Sequence, residues 1–65
     1  MHKYFIDDQE VDETAAAAAW FDRAENQGID IPKAISLWED ASERTGDASR
    51  RIVAHAGVRV VVEKK

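Results

Sequence analysis

Apolar and polar positions follow two different rhythms along this chain, and each change of rhythm marks an element. Lys3 to Ile6 is rich in aromatic and β-branched residues and reads as a strand. Asp8-Gln9 is the expected tip of a tight hairpin that returns through Glu10-Val11, since aspartate tolerates the left-handed backbone better than most residues. The period then becomes helical. Ala16, Ala17, Trp20, Phe21 and Ala24 recur at spacings of three and four, which predicts a helix over Glu13–Gln27 with this set as its buried face. Asp12 is placed to cap its N-terminus, Glu13 favours the positive end of its dipole, and the alanine run has high helix propensity. Gly28 is the expected stop, with Ile29 folding back on the last turn.

Ile31, Ala34, Ile35, Trp38 and Ala41 form a second apolar stripe, from a cap at Asp30 to about Arg44. Pro32 falls in its first turn, where a missing N–H does no harm. Thr45-Gly46 breaks the pattern. Asp47 can cap a third helix, Ala48–Ala56, whose core candidates are Ile52, Val53 and Ala56. Gly57 closes it, and Val58–Val62 is the clearest strand in the chain. A hairpin over residues 51–62 turning at Ala56-Gly57 is the alternative; start and stop signals favour the helix. The C-terminal strand needs a partner, and only the N-terminal strands are available. The expectation is one α+β domain over residues 1–65: a small antiparallel sheet, made of the N-terminal hairpin and the C-terminal strand, covered on one face by two or three helices.

Sixty-five residues make at most one small core, and no cysteine is present to staple it. No apolar run approaches the ~18 residues of a membrane span, and no signal peptide is evident, so a cytoplasmic protein without membrane contact is expected. The net charge of −4 is unevenly spread. Residues 1–43 carry eleven acids against Lys3, Arg23 and Lys33, a sum of −8, whereas residues 44–65 sum to +4. This polarity steers association without dictating fold.

The densest charge is the run DDQEVDE at residues 7–13. It does not fit a calcium loop: counting from Asp7 or Asp8, the position that needs a bidentate glutamate is Ala18 or Ala19, with no glycine between. Neither a metal nor any other cofactor is expected. The carboxylates fall on turns, caps and polar helix faces rather than in a desolvated pocket, and no serine sits in a nucleophile motif, so an enzyme is not expected. His2 and His55 stand alone at element ends. Trp20 and Trp38 have core spacing on different helices. What remains is an acidic surface, with Asp7, Asp8 and Glu10 in the opening run, Asp22 and Glu25 on the first helix, and Glu39, Asp40 and Glu43 on the second. Carboxylate rows on a rigid scaffold can occupy a groove built for phosphates. Arg50, Arg51, Arg59 and the terminal lysines support the opposite idea, a small nucleic-acid-binding regulator. Against it, a second helix bearing Glu39, Asp40 and Glu43 would be repelled by DNA, so no direct nucleic-acid contact is expected.

The short cysteine-free chain, the start KYFIDDQEVDE and the acidic helices DRAENQGID and LWEDASE together resemble, at the level of type, the small acidic proteins of phages and mobile elements, including anti-CRISPR proteins. The resemblance implies a non-enzymatic inhibitor acting in the host cytoplasm, which presents a DNA-mimic-like surface to a basic nucleic-acid-handling partner such as a CRISPR effector complex. The alternatives are the nucleic-acid-binding regulator and a structural or assembly module. The expected state is a monomer or weak dimer.

Overall fold

A computed structural model describes residues 2–62, and within them the elements run β1 (His2–Ile6), β2 (Gln9–Val11), α1 (Glu13–Asn26), α2 (Ile31–Ala41), α3 (Asp47–His55) and β3 (Val58–Val62). The sheet order is β2-β1-β3, antiparallel throughout, so the two ends of the chain meet with Tyr4 opposite Val60 and Phe5 opposite Arg59. The expected α+β architecture and the pairing of the terminal strands are both present. Residues 47–55 are helical, which removes the alternative hairpin over residues 51–62. Lys64 and Lys65 lie outside the described residues.

Side chains alternate across the sheet. Tyr4, Val58 and Val60 are buried beneath the helices, whereas Lys3, Arg59 and Val61 are exposed on the opposite face, beside a half-buried Phe5. The core between sheet and helices is built on small residues and two indoles. Ala16, Trp20 and Ala24 come from α1, Ala34, Trp38 and Ala41 from α2, and Val53 from α3. Trp20 is wholly buried, and its indole N–H donates to the Ala34 carbonyl at 3.0 Å, tying α1 to α2. Trp38 stacks on Tyr4 with ring centroids 5.8 Å apart, which carries α2 onto the sheet.

Four expectations about element ends change. The hairpin tip is Asp7-Asp8 rather than Asp8-Gln9: Ile6 pairs with Gln9, and both aspartates have positive φ, 50° and 71°. Such a two-residue turn matches the natural twist of the strands. The second helix stops at Ala41, short of Arg44, and the third starts at Asp47 with Gly46 in the cap position. Asp30 occupies the cap position of α2 but makes no side-chain capping bond. Asp12 does cap α1, accepting from the Ala15 N–H at 2.8 Å, and Ile29 N–H returns to the Ala24 carbonyl at 2.9 Å.

The apolar stripes are also narrower than their spacing implies. Ile31, Ile35 and Ile52 were expected in the core and are 64%, 43% and 42% exposed. The helices approach one another through alanines, and these branched side chains fall outside the contact. Finally, β2 and β3 are the two sheet edges: β2 spans three residues and carries Glu10, which disfavours further pairing, while β3 spans five residues.

Candidate functional surface

The opening acidic run separates into residues with structural duties and residues without them. Asp7 grips Arg23 of α1 with both carboxylate oxygens, at 3.1 and 3.0 Å. Arg23 also donates to the Ala56 carbonyl at 2.6 Å, and the Asp7 N–H donates to the Gly57 carbonyl at 2.9 Å. The hairpin tip, the last turns of α1 and the α3–β3 turn are thereby clasped at one point. The hydrogen bonds and charge of Arg23 hold the Asp7 carboxyl below the usual carboxylate range, and Asp7 in turn raises Arg23. Gly57 makes the close approach feasible: its φ is +86°, and a Cβ there would lie 2.3 Å from Arg23 Nη1 and 2.6 Å from Asp7 Oδ1. Asp12 caps α1 and Glu13 begins it. Asp8 and Glu10 are exposed and form no ion pair among the described residues.

On the helices, Asp40 accepts from the buried Ser49 hydroxyl at 2.5 Å, linking α2 to α3. Asp22 lies close enough to Arg23 to reinforce its charge. Glu25 on α1, Glu39 on α2 and Glu43 just beyond it are exposed, and their carboxylates are likewise uncommitted among the described residues. Of the eight carboxylates singled out in the sequence, Asp7 and Asp40 thus serve the fold. The remaining six do not converge on one point. Glu10 pairs with Phe5 on the sheet face turned away from the helices, while Glu39 and Glu43 lie on the helical layer.

The cations behave differently. Arg50 donates to the carbonyls of Ala41 at 2.9 Å, Arg44 at 3.2 Å and Glu43, and also to the Asp47 carboxylate. It gathers carbonyls of the α2 end and the connection that follows, of which that of Glu43 also accepts the Gly46 N–H at 3.1 Å, and its positive charge suits the negative end of that helix dipole. Arg59 lies over the Phe5 ring, 4.6 Å from its centroid, in a cation–π contact. Arg51 is exposed. In the sequence, Arg50 grouped with Arg51, Arg59 and the terminal lysines as a basic set suited to nucleic acid. The Asp47-Arg50 spacing of i, i+3 was the available signal for its local role, but the three carbonyls could not be foreseen. Arg23 carried no signal at all, because both of its partners are distant in the chain.

His2 donates its Nε2–H to the Ser42 carbonyl, 3.0 Å away, and so fastens β1 to the end of α2. Its Nδ1 is buried without a hydrogen-bond partner among the described residues. His55 is exposed. No group of three or more His, Cys, Asp or Glu residues suited to a metal occurs among the described residues, and no helix there is long and apolar enough to cross a membrane. Comparison with protein families, curated proteins and solved structures returns no match for this chain.

Proposed function

We propose that this chain is a non-enzymatic binding protein whose carboxylates engage a basic surface of a nucleic-acid-handling protein. A CRISPR effector complex is the instance suggested by its resemblance to small acidic inhibitors. The observation that supports this reading is an imbalance of duties. Arg23 and Arg50 are consumed by internal carbonyls and carboxylates, whereas Asp8, Glu10, Glu25, Glu39 and Glu43 are exposed without ion pairs among the described residues. Two cations are thereby neutralised within the fold, by Asp7 and Asp47, while these five carboxylates face outward. Such a surface attracts a Lys/Arg-lined groove electrostatically and competes there with phosphate.

The test is retention of the purified protein by a panel of purified CRISPR effector complexes, with target DNA as competitor. The reading expects retention by at least one complex, lost on addition of DNA and weakened by salt. Retention that DNA leaves intact would contradict phosphate mimicry. A second reading has one observation in its favour: Phe5 and Arg59 sit together on the uncovered sheet face, an arrangement on which a nucleobase could stack. Retardation of single-stranded nucleic acid, abolished by Phe5→Ala, would favour that regulator reading.

A further inference from the structure

Two large apolar side chains on α2 remain in water. Ile31 is 64% exposed and Ile35 43%, one helical turn apart, so they stand as adjacent members of a ridge. Ile31 also lines an open groove of about 770 Å3 where α1 turns into α2, together with Ile29 and Pro32. Scattered exposed isoleucines are ordinary on a protein surface. A ridge beside a groove is a larger apolar feature, and its charged surroundings are specific. Glu25 and Asp30 border the groove, with Lys33 as its cation, and Glu39 continues the ridge one turn beyond Ile35. Asp30 sits at the cap position of α2 without capping it, so its carboxylate is not spent on the helix end.

We propose that this ridge and groove form the docking site for a basic amphipathic segment of a protein partner. The inference deepens the acidic-surface reading and rests on it for the sign of the partner's charge. Apolar side chains of the segment pack on Ile31 and Ile35 and exclude water at the centre of the contact. Lysine or arginine heads reach Glu25, Asp30 and Glu39 at its rim, while their aliphatic stems lie along the groove. This is the division found in protein interfaces, where a desolvated apolar centre dominates affinity and a charged rim sets orientation and encounter rate. A second copy of the chain is the poorer occupant, because a net charge of −4 sets two acidic rims against each other.

The experiment titrates the isotope-labelled full chain with a synthetic leucine–lysine peptide of about four helical turns, its leucines spaced to form one apolar face. Two control peptides accompany it: one of the same composition scrambled to remove that face, and one with glutamate for lysine. The amphipathic basic peptide is expected to move the amide signals of Ile29, Ile31, Lys33 and Ile35 saturably. The double variant I31S/I35S should retain its melting temperature and bind this peptide about tenfold more weakly, as expected for loss of interface anchors. Equal binding of the scrambled peptide, with no effect of I31S/I35S, overturns the docking site and leaves the acidic-surface reading standing. Equal binding of the glutamate peptide overturns both. Shifts confined to the Phe5–Arg59 sheet face, or no saturable shift with any peptide, also overturn the docking site.

Discussion

Asp7 illustrates how a residue read as surface charge can be part of the framework. Its ion pair with Arg23 is partly exposed, with the two side chains 33% and 67% accessible on the arginine and aspartate sides, so solvent screens much of its strength. The clasp matters through geometry, since three chain segments converge on it. Because the Asp7 carboxyl is held below its ordinary range, its contribution is fully present at neutral pH and disappears as the pH falls through the lowered folded value. D7N should therefore melt lower than the wild type at pH 7, with the gap closing in strong acid; a gap independent of pH would remove the ion pair from the account. Tyr4 works in the other direction. Burial, and then the charge of Glu13, raise its phenol above the ordinary value, so the neutral ring is favoured by the fold. Stability from this source is intact below about pH 10 and declines as the pH rises through the raised folded value. Y4F should flatten that alkaline decline. Trp38, 8% exposed and stacked on Tyr4, should cost about 3–5 kcal/mol when replaced by alanine. That is comparable with the whole stability of a domain this small, so unchanged melting would contradict its place in the core.

Elements were most legible where a single local signal sufficed. The range Val58–Val62, the Asp12 cap and the return of Ile29 onto α1 all depend on neighbours within one or two turns, and all stand as expected. The ends of α2 and α3 were harder, because tertiary contacts fix them. Gly46 is required by a close approach: a Cβ there would fall 1.8 Å from the Asp40 carbonyl oxygen. Arg50 then gathers the carbonyls of the α2–α3 connection. Neither contact is written in periodicity. The isoleucines were misplaced for a related reason: spacing identifies a stripe, but the partner helix decides how wide a stripe is covered. Alanine-mediated packing covers a narrow one. G46A is accordingly expected to lower the melting temperature sharply despite its conservative chemistry, and an unchanged transition would show that the connection relaxes at little cost.

For the whole molecule, the sheet makes folding depend on both ends of the chain. β1 lies at the centre of the sheet, and β3 supplies Val58 and Val60 to the core, so removing residues 58–65 should abolish cooperative unfolding. A truncated chain with an unchanged midpoint would contradict this topology. The candidate surface was legible only in part. Charge counts located the carboxylates, but not which of them the fold would use, and Asp7 and Asp40 proved to be internal partners. The same distinction decides which variants are informative: changing Arg50 or Asp7 tests folding, whereas Glu39, Glu43 and Arg51 can be changed at the exposed surface. Engagement of a basic groove by the exposed carboxylates is read out by affinity for a retaining CRISPR effector complex at two salt concentrations, for the wild type, E39K/E43K and R51E. Wild-type binding is expected to weaken with salt, E39K/E43K to lose binding because like charges across an interface cost several kcal/mol, and R51E to change little. Loss of binding in R51E alone, or affinity indifferent to both salt and charge reversal, would contradict such engagement.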